Sequence, residues 1–123
     1  MIEKKNEFRQ RTKAFAGRVI RLYCTLPRSR DEVQVVGRQM LRSGTSVAAN
    51  YREASRARSK ADFISKVETC AQEADETQLW LELLRDDCCI KAAEVSSLWK
   101  ETDELIAIFV TMARNAKGGG DKS

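Results

Sequence analysis

The sequence predicts an all-α protein, an antiparallel up-down-up-down four-helix bundle. Helix breakers are scarce, because the 123 residues include one proline and six glycines, and three of those glycines are adjacent at 118–120. Four long segments repeat apolar residues at alternating spacings of three and four, which is typical of helices that pack at shallow angles. Strand-like alternation is absent from the sequence. We expect a single bundle domain over residues 1–115, followed by a disordered tail over 116–123.

The first two helices are predicted over residues 5–26 and 30–56. Pro27 ends the first helix, because proline cannot continue a helix and restricts the residue before it. The second segment opens at Ser29, which forms a capping-box pattern with Glu32. The apolar stripes that define the two helices are Phe8, Thr12, Phe15, Val19, Leu22, Leu26 and then Val33, Val36, Met40, Ser43, Val47, Asn50, Ala54.

The last two helices are predicted over residues 60–86 and 91–115. Ser59 is the expected N-cap of the third helix, with Asp62 as its reciprocal partner. The connections between all four helices are short, so neighbouring helices should be antiparallel. The stripes of this half are Phe63, Val67, Cys70, Ala74, Thr77, Leu81, Leu84, Cys88 and then Val95, Leu98, Thr102, Leu105, Phe109, Met112.

Several features predict a cytoplasmic protein without a metal or cofactor. No apolar run approaches the roughly 20 residues that span a bilayer, and the charged start of the chain is not followed by an apolar signal-peptide core. Histidine is absent, and the spacing of the four cysteines fits no zinc template. We expect reduced thiols, with Cys70 and Cys88 as small core residues because they lie on the apolar stripe. The other two cysteines are Cys24 and Cys89.

The predicted second helix carries four polar residues on one face, and the third helix offers two glutamates that could pair with them. The residues are Arg42, Ser46, Asn50, Glu53, Glu73 and Glu76. Spacings of three and four place the first four on one helix face. We predict a structural network that fixes helix register, in which Arg42 pairs with a third-helix carboxylate and Asn50 could bridge.

An alternative hypothesis for these polar residues is a small-ligand-binding or metal-dependent enzyme. Its residues would be Arg42, Asn50, Glu53, Glu73 and Glu76. A di-iron bundle would need Glu-x-x-His motifs, and nucleophilic catalysis by Ser46 has no histidine base. We therefore predict no catalytic residue and no enzyme.

Charge is distributed unevenly along the chain. Residues 1–60 carry 15 Lys/Arg against five Asp/Glu, whereas residues 61–123 carry seven against 13. A basic first half could bind RNA or DNA phosphates, or it could meet the acidic half of a second copy, or its charges could simply solvate helix faces. The candidate nucleic-acid-binding residues are Lys4, Lys5, Arg9, Arg11, Lys13, Arg18, Arg21, Arg28, Arg30, Arg38, Arg52, Arg56 and Arg58.

Large apolar residues also lie beside the main stripes of the third and fourth helices. They favour either a partner surface or a broad core, and the sequence does not separate these two interpretations. The residues are Leu79, Trp80, Leu83, Trp99, Ile106 and Ile108.

Two polar motifs, one in the predicted second helix and one in the third, resemble those of a known bacterial family. One is the run Gln39-x-Leu41-Arg42-x3-Ser46-Val47-x-Ala49-Asn50-x2-Glu53, and the other comprises Asp62-Phe63-Ile64 and Glu73-Ala74-x-Glu76-Thr77-x2-Trp80-Leu81-x-Leu83-Leu84. Both are similar to motifs of the four-helix-bundle proteins called the 23S rRNA intervening-sequence (S23) family. This chain departs from the family pattern at Ala48, where proline is common, and at Ala54, where glycine is common.

The resemblance implies a small cytosolic bundle that assembles as a homo-oligomer, with a pentamer favoured. It also implies a relation to accessory proteins of diversity-generating retroelements, which bind a reverse transcriptase and nucleic acid through a basic surface. For most members of the family no activity is established. We therefore predict a non-enzymatic oligomeric scaffold, with RNA, DNA or a reverse transcriptase as the partner and no association with a membrane.

Overall fold

Four antiparallel helices account for almost all of the computed structural model, which describes residues 2–118. They are α1 (Ile2–Thr25), α2 (Asp31–Ser55), α3 (Lys60–Asp86) and α4 (Ala93–Gly118). Each helix packs against its neighbour in the chain, and α4 also contacts α1. The predicted up-down-up-down four-helix bundle is therefore confirmed, with α1 and α3 at diagonal corners and α2 and α4 at the other two.

The helix ends differ from the predicted ones by up to three residues. The first helix begins at Ile2 and the last continues to Gly118, so residues 116–118 of the predicted tail are helical. The rest of that tail, 119–123, lies outside the described residues. The first helix ends at Thr25, two residues before Pro27, as expected for a residue whose ring excludes the helical conformation before it.

One of the two predicted N-caps is wrong. Arg30, not Ser29, occupies the N-cap position of α2, and no side chain caps this end. Glu32 accepts hydrogen bonds from the Arg30 guanidinium at 2.8 and 3.0 Å, so it does not complete a capping box. At α3 the predicted N-cap is confirmed, because the Ser59 hydroxyl accepts a hydrogen bond from the Asp62 backbone N–H at 3.0 Å. The reciprocal hydrogen bond from the Ser59 N–H to the Asp62 carboxylate is not formed within residues 2–118.

The four stripes meet in one core. Phe15, Val19, Met40, Leu81 and Phe109 are among its largest fully buried side chains. At the end of the bundle where α1 begins, aromatic rings join three helices. Phe8 stands edge-on to Tyr51, with ring centroids 4.8 Å apart, and to Phe109 at 5.4 Å. Such edge-to-face pairs add to the stability that burial of the rings provides.

Two glycines bring α1 and α2 close together. A Cβ atom at Gly44 would lie 2.8 Å from a Val19 methyl carbon, and one at Gly37 would lie 2.8 Å from a Leu26 methyl carbon. Both distances are shorter than real carbon contacts, so a side chain at either position would force the Val19 or Leu26 side chain, or α1 itself, to move. Glycine at these positions therefore permits the close approach of α1 and α2.

The cysteines lie where their sequence positions predict. Cys70 and Cys88 are buried, Cys24 and Cys89 are exposed, and all four are free thiols. The Cys70 thiol donates to the Val47 carbonyl at 3.7 Å, which links α3 to α2. Among residues 2–118, no helix is both long enough and apolar enough to cross a bilayer.

Candidate functional site

The predicted pairing of Arg42 with the third helix is present. Its Nη2 atom lies 3.2 Å from Glu76 Oε1 and 3.6 Å from Glu73 Oε1. This Glu73 oxygen is buried and makes no hydrogen bond within the described chain. The nearby guanidinium charge therefore compensates a carboxylate oxygen that has little access to water.

The remaining polar residues do not extend this pair into a continuous network. Asn50 does not bridge to α3, because its Nδ2 donates back to the carbonyl and the hydroxyl of Ser46, each at 2.9 Å. Glu53 pairs with Lys66 Nζ at 2.7 Å, near the far end of the helix. The six polar residues therefore form three separate contacts, not one network.

A buried hydrogen bond that the sequence analysis missed joins the same two helices. The hydroxyls of Ser43 and Thr77 lie 2.7 Å apart in the core. Each hydroxyl also lies near a carbonyl of its own helix, Thr77 at 2.8 Å from the Glu73 oxygen and Ser43 at 3.4 Å from the Met40 oxygen. The shorter Thr77 contact favours Ser43 as the donor between the two hydroxyls. Both residues lie on predicted apolar stripes, and hydroxyls at such positions are the signal that could have revealed this link.

The polar residues of α2 and α3 do not form a metal site. Within residues 2–118 no group of three His, Cys, Asp or Glu side chains could hold a metal ion. Shallow concavities occur elsewhere on the described surface, and one of about 470 Å³ lies along the outer face of α1. It is lined by Gln10, Lys13, Ala14, Ala16, Gly17, Ile20 and Arg21.

The uneven charge of the sequence becomes a diagonal polarity in the bundle. Helix α1 has seven basic and two acidic residues, a balance of +5, whereas α3 has three and seven, a balance of −4. Helix α2 has three of each sign and α4 has three basic and four acidic residues. Helix α2 is therefore neutral overall, and most of the remaining positive charge of the first half lies in the connections, at Arg28, Arg30, Arg56 and Arg58.

Three of the thirteen candidate nucleic-acid-binding residues are engaged in ion pairs. Arg11 Nε and Nη2 donate to the two Glu101 oxygens at 2.8 and 2.9 Å, and Nη2 also reaches Glu104 at 2.8 Å. Arg18 pairs with Glu94 at 2.9 Å. These pairs join α1 to α4, and the Arg30 pair with Glu32 lies at the start of α2.

The other ten candidates divide by exposure. Arg9 is half-buried, and its Nε atom is buried without a hydrogen-bond acceptor in the described residues. The remaining nine are exposed: Lys4, Lys5, Lys13, Arg21, Arg28, Arg38, Arg52, Arg56 and Arg58. Exposed cations without a fixed partner are the ones available to a polyanion.

The basic helix α1 and the acidic helix α3 each expose one large apolar side chain. On α1, Ile20 is 45% exposed and lies near Lys13 and Arg21. On α3, Leu79 is 46% exposed, and the exposed Asp75 lies one turn before it. We call these surfaces the α1 outer face (Gln10, Lys13, Gly17, Ile20, Arg21) and the α3 outer face (Gln72, Asp75, Leu79, Asp86).

Most of the other extra apolar residues thicken the core. Trp80, Trp99, Ile106 and Ile108 are partly buried and pack against it. The Trp99 indole N–H donates to Glu82 at 2.9 Å, which joins α4 to α3. The packing of these four residues is consistent with the broad-core interpretation, and Leu79 is the one of the six that is exposed.

Comparison with known proteins decides the family. Residues 4–111 match the model of the family described as 23S rRNA-intervening sequence protein. The chain belongs to this family.

A solved structure from the same family has a similar fold. It is a crystal structure of a protein of unknown function from the S23 ribosomal protein family of Bacteroides thetaiotaomicron. The sequences are 36% identical, the TM-score is 0.80, and the match covers 90% of this chain and 98% of the other. A comparison with functionally curated proteins finds no match. The comparisons establish the fold and the family but no activity, so a function has to be argued from the surfaces of the bundle.

Proposed function

We propose that this protein is a non-enzymatic scaffold that associates with copies of itself and binds nucleic acid through its basic surface. The observation that carries the proposal is the opposite charge of α1 and α3 at diagonal corners of one bundle. The polar residues of the α2–α3 seam contribute to helix packing in this proposal, and no catalytic role is assigned to them.

The diagonal charge supports head-to-tail association. Because the two outer faces lie on opposite sides of the bundle, the α1 outer face of one copy can meet the α3 outer face of the next. Contacts between different surfaces produce rings when the rotation between copies closes. Ile20 and Leu79 would supply an apolar centre, and the flanking charges would fix the pairing of the faces. The family resemblance favours five copies.

Native mass spectrometry tests the association. The wild-type protein should give a mass near five times 13.9 kDa at micromolar concentration. Ile20→Glu and Leu79→Glu should each shift it to the monomer, because a carboxylate cannot be buried at an apolar contact without a large cost. Val35→Glu is the matched control, since Val35 is 54% exposed on α2, which is neither outer face. A wild-type monomer would contradict the proposal.

The exposed cations support nucleic-acid binding. Nine of them are distributed over α1, α2 and two connections, and they could neutralise phosphates and release counterions. A filter-binding series across salt, with RNA and DNA of mixed sequence, tests this part. Affinity should fall steeply as salt rises, and no binding at about 50 mM salt would remove nucleic acid from the proposal.

A reverse transcriptase is the protein partner that the family resemblance suggests. It would act on the same nucleic acid that the scaffold binds, so the two partners are compatible. Co-purification of the scaffold with a reverse transcriptase encoded beside its gene tests this. The absence of such a complex after nuclease treatment would restrict the proposal to nucleic acid.

A further inference from the structure

One end of the bundle collects exposed positive charge. The antiparallel topology brings together the start of α1, the end of α4 and residues 52–60, which end α2 and connect it to α3. We call this the α2–α3 end. Its connecting segment carries four exposed basic residues within nine positions: Arg52, Arg56, Arg58 and Lys60. The single acid of the segment, Glu53, is paired with Lys66 on α3.

The opposite end of the bundle is different. Its two connecting segments, 26–32 and 85–94, carry four basic and five acidic residues. Two of the basic residues are held in ion pairs with acids of the same segment, Arg30 with Glu32 and Arg85 with Asp86. A polyanion that approaches this end would meet mixed charge. At the α2–α3 end, segment 52–60 presents four exposed cations against one paired acid, and the exposed acids nearby, Glu3 and Glu7, lie on α1 beside Lys4 and Lys5.

Further cations adjoin the α2–α3 end. Lys4 and Lys5 are exposed at the start of α1, and Arg114 is exposed near the end of α4. Arg9, one turn further along α1, has a buried Nε without an acceptor in residues 2–118. Helices from three corners of the bundle therefore direct positive charge to one end of the molecule.

The chemistry of this end favours phosphates over bases. The segment 52–60 contains no aromatic residue. Tyr51 and Phe8 are buried in the core, and Phe63, in the first turn of α3, is partly buried and packs against it. Binding of single strands with base stacking needs exposed aromatic side chains. Contacts to phosphates alone position a nucleic acid without reading its sequence.

We propose that the α2–α3 end is the nucleic-acid contact surface, where Arg52, Arg56, Arg58 and Lys60 bind backbone phosphates without sequence preference. This inference rests on the proposed function, which does not say where nucleic acid binds. It excludes the rest of the basic surface, including Lys13 and Arg21 of the α1 outer face, from the main contact.

A pair of charge-matched variants tests the location. One carries Arg52→Ser, Arg56→Ser and Arg58→Ser, and the control removes three exposed cations elsewhere by Arg85→Ser, Lys91→Ser and Lys100→Ser. The probes are a duplex DNA of about 30 base pairs and an RNA strand of the same length, each in two unrelated sequences. Affinity is measured across salt, and helical content and thermal unfolding show whether each variant is folded.

The two variants should differ in affinity and in salt dependence. The first should bind at least about tenfold more weakly at about 0.1 M salt, and the slope of log affinity against log salt should become shallower by about 0.9 for each lost phosphate contact. The control should keep the wild-type slope. An Arg52→Lys, Arg56→Lys, Arg58→Lys variant, which keeps the charge, should bind nearly as the wild type does.

The possible results separate this inference from the proposed function. If the wild type binds no nucleic acid, the nucleic-acid part of the proposed function fails and this inference fails with it. If the wild type binds and the two Ser variants lose affinity equally, the location is wrong although the function stands. Strong preference for one sequence would also overturn phosphate binding at this end.

Discussion

Arginine residues of similar sequence context have different roles in this molecule. Arg11 and Arg18 lie on the basic first helix beside other cations, yet they pair with Glu101 and Glu94 of the last helix. Arg21, three residues further along, is exposed. Partners 76 to 93 positions away in the chain decide the difference. A count of basic residues therefore overestimates the charge that a polyanion can reach.

At the residue scale, the buried Cys70 thiol predicts a pH dependence of stability. Burial raises its pKa from 9.0 to about 12. Unfolding restores the ordinary pKa, so between these values the unfolded chain holds fewer protons and stability falls as pH rises. The free energy of unfolding should be about 1 kcal/mol lower at pH 10 than at pH 8, because each unit of pKa difference corresponds to about 1.4 kcal/mol.

Urea unfolding of the wild type and of Cys70→Ala over this pH range checks the Cys70 prediction. The variant should lose less stability between pH 8 and pH 10, whatever its stability at pH 8. Burial also raises the pKa of Tyr51, which extends the decline of both proteins to higher pH. Equal losses in the two proteins would contradict the role of Cys70.

At the element scale, the buried face of the second helix differs from the apolar stripe that its sequence predicts. The sequence predicted Val36 and Asn50 on its core stripe, but these are half-buried. Gly37, Gly44 and Tyr51, which are not on the predicted stripe, are buried. An α-helix drifts by about 20° per heptad relative to a strict 3.5-residue repeat, so neighbours of the predicted position take its place. Close approach by α1 at glycine reinforces the shift.

The Gly44 position predicts an unusual response to alanine. Alanine ordinarily stabilises a helix interior by about 1 kcal/mol relative to glycine. Here its Cβ would lie 2.8 and 2.9 Å from the two Val19 methyl carbons, and overpacking of this kind costs about 1–3 kcal/mol. We expect Gly44→Ala to lower the free energy of unfolding by about 1 kcal/mol.

A double-mutant cycle with Val19→Ala checks the origin of the Gly44 effect. In that background the two methyl groups are absent, so Gly44→Ala should be neutral or stabilising. Chemical denaturation of the four proteins gives the coupling energy. A coupling near zero would show that contact with Val19 does not explain the response.

At the scale of the whole molecule, the diagonal polarity predicts how charge reversal acts on assembly. Lys13→Glu with Arg21→Glu makes the α1 outer face acidic, and Asp75→Lys with Asp86→Lys makes the α3 outer face basic. Each pair alone should weaken association about tenfold or more, because like charges then face one another. All four substitutions together should restore it.

Sedimentation equilibrium at low salt measures the effect of charge reversal. The bundle itself should remain folded in every variant, since Lys13, Arg21, Asp75 and Asp86 are exposed. If the fourfold variant associates no better than either pair, the two faces do not contact one another. The wild type should also dissociate more readily as salt rises, because exposed charges are screened.

The sequence by itself determined the local features of this protein: four helices, the place of Pro27, the Ser59 cap and the buried positions of Cys70 and Cys88. Each of these depends on residues a few positions apart, where helix periodicity and proline geometry act directly. The tertiary structure decided the Ser43–Thr77 hydrogen bond, the pairs that neutralise Arg11 and Arg18, and the placement of opposite charges at diagonal corners. These features depend on contacts between residues that are far apart in the chain and that packing brings within a few ångströms. The spacing of residues along the sequence does not specify those contacts.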